Sequence, residues 1–183
     1  MQEEDAQQLK KPYQIPLTGL KFEIGNSILF GEAIMVTANM IPSKLLIEAM
    51  SAELKQNQDV FKPPEWAPFV KLSVARQNAP ENRGDWWYSR VASVLRKIYL
   101  HEPIGVLHLR KMYGSRRNRG SKPERTFSGS GAVVRHAIHQ LEKAGYVTTR
   151  AGYKGRVMSP EGRSFVDNIA FQVKKQIPEL EKY

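Results

Sequence analysis

The sequence predicts a mainly α fold: a winged helix-turn-helix with extra N-terminal and C-terminal helices and a two-stranded β-wing. Three observations carry this expectation. Apolar residues recur at helical spacing in five separate stretches. Two short segments with strand character, Tyr146–Arg150 and Arg156–Ser159, bracket the turn residues Ala151-Gly152-Tyr153-Lys154-Gly155. The order helix, short helix, outward-basic helix, hairpin is the order of winged-helix modules.

Residues 1–34 stand apart from this pattern. They mix Glu3, Glu4 and Asp5 with Pro12, Pro16, Gly19, Gly25 and Gly31, and show no sustained periodicity. They are expected to form a poorly ordered extension, with Met35-Val36-Thr37 as a plausible natural start and residues 35–183 as a single domain. A first helix is expected over Ser43–Gln56, where Leu46, Met50 and Leu54 form one apolar stripe. Lys62-Pro63-Pro64-Glu65-Trp66 punctuates the chain; Pro64 suits the opening of a helical turn, and Trp66 is expected as a core anchor. Residues 73–84 are polar and read as loop.

Asp85 is placed to cap a second helix from Trp86 to about Tyr99. Trp87, Val91, Leu95 and Ile98 make its apolar face, with Trp86 expected to be partly exposed. Arg90, Ser93 and Lys97 make a polar stripe on the other side, with Arg96 beside it. Pro103 ends the element. Val106, Leu109 and Tyr113 then mark a short helix, and Gly114 fits the C′ position. A further helix is expected from about Gly131 to Ala144, with Val134, Ala137, Ile138 and Leu141 inward. Arg135, His136, His139 and Lys143 face outward, and Ser130 stands at its N-terminus, whose free N–H groups suit a phosphate. Ser159-Pro160-Glu161 opens the last helix, with Phe165, Ile169 and Val173 as its buried stripe and Pro178 as its end.

The segment between the short helix and the outward-basic helix bears most directly on function. Residues 114–131 carry Arg116, Arg117, Arg119, Lys122 and Arg125 against one acid, Glu124. Gly, Ser and Pro argue against a helix or a strand there, so an irregular loop is expected, unordered before it meets a partner. Such a segment gains little from packing on its own protein. It gains a great deal from a polyanion, since each neutralised phosphate releases counterions.

Charge is distributed to match. Residues 1–85 hold nine Lys/Arg against eleven Asp/Glu, a balance of −2; residues 86–183 hold nineteen against seven, a balance of +12. A basic half of this size is the electrostatic footprint of a nucleic-acid binder. Arg150, Lys154 and Arg156, on or beside the wing, suit a second stretch of phosphate backbone. Arginine serves this better than lysine because its planar fork binds oxygens in pairs. Gly114 and Gly120 are expected to adopt φ > 0 and to admit a close backbone. Phe127 and Tyr153 suit stacking on an unpaired base, although simple packing is the plainer account.

Other function classes find little support. The apolar runs are short and interrupted, so no membrane partner is expected. The N-terminus lacks the pattern of a secretory signal, and the chain contains no cysteine, which fits a cytoplasmic protein. His136 and His139 are spaced like metal ligands, but no acid in that helix completes a set, and histidines facing phosphate are the simpler reading. There is no Gly-Lys-Ser/Thr phosphate loop, no Gly-x-Ser-x-Gly elbow and no evident acid–base pair. No cofactor, small-molecule substrate or enzymatic activity is expected. From the residues alone, RNA binding and duplex-DNA binding by a winged-helix transcription regulator both stay open, although the long basic connection favours an irregular RNA surface.

A resemblance sharpens the choice. Pro63-Pro64-Glu65-Trp66, Asp85-Trp86-Trp87-Tyr88, Gly105-Val106, Tyr113-Gly114, Arg117-Asn118-Arg119-Gly120, Gly129-Ser130, Gly155-Arg156 and Ser159-Pro160-Glu161-Gly162 occur in one order and spacing. Together, from about Met35 to the C-terminus, they resemble the S-nineteen-e family of small-subunit ribosomal proteins of archaea and eukaryotes, with wording closer to the archaeal form. The resemblance implies a monomer in the head of the small subunit, bound to small-subunit rRNA beside neighbouring ribosomal proteins, with a part in pre-rRNA maturation in eukaryotes. It also implies functional arginines at Arg90, Arg96 and Arg135. His136 departs from a position often basic in the family.

Overall fold

The structure, a computed structural model, describes residues 37–176 except 83, 150, 151 and 153. The expectations for residues 1–34, Arg150, Tyr153 and Pro178 therefore lie outside the described residues. The elements are α1 (Ser43–Gln56), α2 (Gln58–Phe61), a 3-10 turn (Ala67–Phe69), α3 (Trp86–His101), α4 (Val106–Met112), β1 (Ser115–Arg119), β2 (Lys122–Phe127), α5 (Gly131–Lys143), β3 (Val147–Thr149), β4 (Arg156–Met158) and α6 (Pro160–Gln176). No described helix is long and apolar enough to cross a membrane.

The fold is mainly α, a winged helix-turn-helix of α3, α4, α5 and the β3–β4 wing, with α1 and α6 added at the two ends. Helix α1 packs on α3 and α6, and α5 packs on α3 and α4. The apolar stripes meet at their centre, where Leu46, Met50, Leu54, Trp87, Val91, Leu95, Ile98, Leu109, Ile138 and Leu141 are fully buried. Each such aliphatic side chain contributes about 1.5–3 kcal/mol of burial. Trp87 keeps its polar edge satisfied: its Nε1–H donates to Gln140 Oε1 (2.9 Å), while Gln140 Nε2 donates to the Lys62 carbonyl (2.7 Å).

The wing is held to the body by backbone and side chains. Ile104 exchanges two backbone hydrogen bonds with Arg156, 3.1 and 2.9 Å, adding a short third segment beside β4. Gly155 sits at φ 149°, and a Cβ there would come within 3.0–3.2 Å of the Ile104 backbone. Glu102 Oε2 accepts the Met158 N–H (2.7 Å). Ser159 begins α6 as expected, its Oγ accepting the Gly162 N–H (3.0 Å) and donating to the Gly145 carbonyl (2.6 Å).

Several local expectations are corrected. Residues 114–131 do not form an irregular loop: β1 and β2 pair as an antiparallel hairpin. Its turn is built by Asn118, whose Oδ1 accepts the Gly120 N–H (2.8 Å), and by Gly120 at φ 71°. Pro and the charges are tolerated because residues 116–126 are exposed and belong to a sheet of only two strands. Asp85 makes no cap hydrogen bond; its carboxylate is taken by Lys55 Nζ at 2.7 Å, tying α1 to the start of α3. Trp86 is not partly exposed but buried at 8%, its ring packed edge-on against Trp87 at 5.5 Å. Trp66 is half-buried, packing against Trp87 and His136 at the rim of the core. In α6 the core face is Gly162, Val166, Ile169, Ala170 and Val173, whereas Phe165 is half-buried and stacks on Tyr146. Gly114 follows α4 without a positive φ. It is needed for space, since a Cβ there would lie 2.7 Å from the Phe127 carbonyl oxygen.

Candidate nucleic-acid interface

Arg116, Arg117, Asn118, Arg119, Lys122 and Arg125 are all exposed on the β1–β2 hairpin. The register sets Arg117 opposite Arg125 and Arg119 opposite Lys122. Like charges directly opposite each other destabilise a strand pair. No carboxylate among the described residues forms an ion pair with any of these side chains. The hairpin thus carries a charge that no ion pair among the described residues compensates.

An isolated two-stranded hairpin is marginal in water, so its anchorage matters. Arg110, on α4, supplies much of it. Its Nε donates to the Gly129 carbonyl and its Nη2 to Ser128 Oγ, both at 3.1 Å, while its own carbonyl accepts the Gly129 N–H at 2.9 Å. The Ser130 N–H donates to the Leu72 carbonyl (2.8 Å), and Ser73 pairs with Gly129 as an isolated bridge. Gly129 makes this approach possible, for a Cβ there would lie 2.9 Å from Tyr113 Cβ.

Helix α5 begins directly after this anchor. Ser130 stands at its N-terminus as expected, and its Oγ caps the helix by accepting the Val133 N–H at 3.5 Å. Arg135, His136, His139 and Lys143 are exposed along the helix, opposite Val134, Ala137, Ile138 and Leu141. Arg135 turns back over Gly131, where a Cβ would meet Arg135 Nη1 at 3.1 Å and Arg110 Cδ at 3.3 Å. Two guanidinium side chains therefore lie over the first turn of α5, and one of them, that of Arg110, also holds the base of the hairpin. His139 Nδ1 lies 3.3 Å from Glu142, and the His136 ring meets Trp66 at 5.3 Å. No group of three or more potential metal ligands occurs among the described residues.

The polar stripe of α3 is half-buried. Arg90 and Lys97 lie over the Tyr113 ring, 4.4 and 3.4 Å from its centroid, and Ser93 shares a 2.8 Å hydrogen bond with the Tyr113 hydroxyl. These side chains hold the end of α4, from which β1 departs. Burial, with Arg90 and Arg96 adding repulsion, lowers the Lys97 pKa to about 8. Arg96 is half-buried, and its Nε has no hydrogen-bond partner among the described residues.

On the wing, Lys154 is exposed. Arg156 is held internally, its Nε donating to Glu142 Oε1 at 3.0 Å. That ion pair reaches from β4 to α5 and braces the wing against the helix. The structure also adds residues that the sequence did not single out. Lys71, Arg76 and Gln77 share a cleft with Arg117 and Asn118, and Arg110 anchors the hairpin. Their importance lies in contacts between segments distant in the chain, which no periodicity records.

A helix-turn-helix whose connecting turn has grown into an exposed cationic hairpin defines a winged-helix protein of a strongly basic class. The particular family follows from direct comparison: the model of the family described as ribosomal protein S19e matches residues 37–176, and the chain belongs to that family. The small ribosomal subunit protein eS19 of Aeropyrum pernix is 44% identical over 154 residues, covering 81% of this chain and 99% of that protein. The protein of the same name from Haloarcula marismortui is 38% identical over 155 residues, covering 81% and 99%. A eukaryotic relative, from Entamoeba histolytica, is 41% identical over 130 residues, covering 71% of this chain and 81% of its own length.

Proposed function

We propose that this chain is a structural constituent of the small ribosomal subunit. It binds small-subunit rRNA in the head, beside neighbouring small-subunit proteins, as a monomer in the cytoplasmic ribosome, and assists subunit assembly and pre-rRNA maturation. The observation that carries this reading is the hairpin: its cations are exposed, opposed to one another, and without an ion-paired carboxylate among the described residues. RNA phosphates supply the missing counter-charge. The proposed contacts are Arg116, Arg117, Asn118, Arg119, Lys122 and Arg125 on the hairpin; Ser130, Arg135, His136, His139 and Lys143 on α5; Arg90, Arg96 and Lys97 on α3; and Arg150, Lys154 and Arg156 around the wing. Membership of a ribosomal protein family and relatives named for the small subunit support the same reading. Their names indicate a structural role and point to no catalytic one. Sedimentation of a cell extract tests it: the protein travels with small subunits through a sucrose gradient and stays with them after a moderate-salt wash. Recovery only at the top of the gradient would reject it.

Lys97 gives a pH test of the α3 contact. Its side chain is neutral in a growing fraction of free protein above pH ~8. A phosphate beside it favours the charged form, so the pKa rises on binding. RNA affinity is then flat below pH 8 and falls as pH rises through and above it, because binding must take up a proton. The fold itself gains stability between pH 8 and 10.5, where the unfolded chain binds more protons than the folded one. Filter binding across this range checks the first effect, and Lys97→Met removes the slope. A slope unchanged by that substitution would exclude Lys97 from the contact.

A further inference from the structure

Between the chain segment 71–77 and the tip of β1 lies a half-open cleft of about 350 Å³, lined by Lys71, Val74, Arg76, Gln77, Arg117 and Asn118. Its size falls in the range of small-ligand sites, about 300–1,000 Å³. Three of its six lining residues are cations, two are amides and one is apolar; none is acidic. We propose that this cleft seats one unstacked nucleotide of a single-stranded RNA segment, an assignment that rests on the RNA-binding reading and deepens it.

Each part of a nucleotide has a counterpart in the lining. Lys71, Arg76 and Arg117 supply positive charge for the phosphate from both walls, and Arg117 already opposes Arg125 across the hairpin, so an anion relieves repulsion there. Val74 is 60% exposed and gives the base an apolar surface. Phe69, two residues before Lys71 and 81% exposed, adds a ring on the same stretch of chain, and base–aromatic stacking is a common grip on unpaired RNA. Gln77 and Asn118 carry amide donors and acceptors of the kind that meet base edges. Asn118 Oδ1 is committed to the Gly120 N–H, which fixes the side chain, and its NH₂ has no acceptor among the described residues. A duplex cannot deliver this combination, because its bases are stacked and paired away from such a recess.

The cleft is also built rather than incidental. Ser73 is buried, pairs with Gly129 at the foot of the hairpin, and accepts the Ala75 N–H on its Oγ (3.1 Å). The Arg76 N–H donates to the Ser73 carbonyl (3.2 Å), and the Leu72 carbonyl accepts the Ser130 N–H (2.8 Å). One wall is thereby fastened to the base of the other, and the cations face each other before any ligand arrives.

The test uses the full chain and two probes, a single-stranded RNA of ~8 nucleotides and a fully paired RNA hairpin. Lys71 and Arg76 are exposed, so the double variant Lys71→Ala/Arg76→Ala keeps the fold. Titration by fluorescence anisotropy at several salt concentrations is expected to show single-strand affinity about 20-fold lower at ~0.1 M salt, with the slope of log K against log salt reduced by ~1.4. Affinity for the paired probe stays within about twofold. Equal losses on both probes, or no loss on either, overturn the cleft. The broader reading fails separately: wild-type protein that binds the single strand but never small-subunit rRNA keeps the cleft and loses the ribosomal assignment. Wild-type rRNA binding that the double variant leaves intact on every probe does the reverse.

Discussion

Replacing Arg116, Arg117 and Arg119 together with Ala lowers affinity for small-subunit rRNA on the order of 100-fold at ~0.1 M salt, if each side chain meets one phosphate. The same counterion arithmetic reduces the slope of log K against log salt by ~2. The fold should not notice. All three side chains are exposed and lack ionic partners among the described residues, and the substitution removes the Arg117–Arg125 opposition. Thermal midpoints of wild type and variant therefore agree within the effect of about 0.5 kcal/mol. Filter binding at several salt concentrations, paired with a melting curve, separates the two quantities. An unchanged salt slope with an unchanged fold would remove the hairpin from the interface.

Trp87→Ala is the counterpart in the core. Trp87 is fully buried among α1, α3 and α5, with Trp66 and Trp86 packed edge-on against it. Removing the indole leaves a cavity bounded by those rings and takes a partner from Gln140. Large-to-small changes of this kind cost ~3–5 kcal/mol, a large share of the ~5–15 kcal/mol that stabilises a domain. Chemical denaturation reads the loss as a lower midpoint at unchanged slope. A cost below ~1 kcal/mol would mean that the site collapses around the missing ring and that Trp87 does not organise the core.

These two variants mark the division between the surface and the interior, and the sequence spoke differently of each. Helix α1 was legible residue by residue: Leu46, Met50 and Leu54 recur at one-turn spacing and are all buried. So was α5, where Val134, Ile138 and Leu141 alternate with the outward Arg135, His136, His139 and Lys143. Periodicity works there because one face meets the core and the other meets water. It failed in residues 115–127, where no apolar alternation exists because neither face of the hairpin is buried. Only the Asn118-Arg119-Gly120 turn hinted at a reversal, and its side-chain hydrogen bond is local enough to have been found.

Caps and cations were harder. Asp85 has the right chemistry for an N-cap, yet Lys55, thirty residues earlier, claims its carboxylate. Arg90, Lys97 and Arg156 look alike in the sequence to Arg116 and Arg119. Two of them lie over Tyr113 and the third is paired with Glu142, whereas the hairpin arginines have no such partners among the described residues. Lys71 and Arg76 gave no signal at all, because their meaning comes from facing Arg117 across a cleft.

By itself, the sequence determined the helices, the wing, the charge asymmetry and the family, since these follow from spacing, composition and local motifs. Tertiary structure alone decided which cations engage side chains of the protein itself and which have no ionic partner among the described residues. The reason is physical: the fate of a charge depends on what lies within a few ångströms of it, and here those neighbours come from distant parts of the chain.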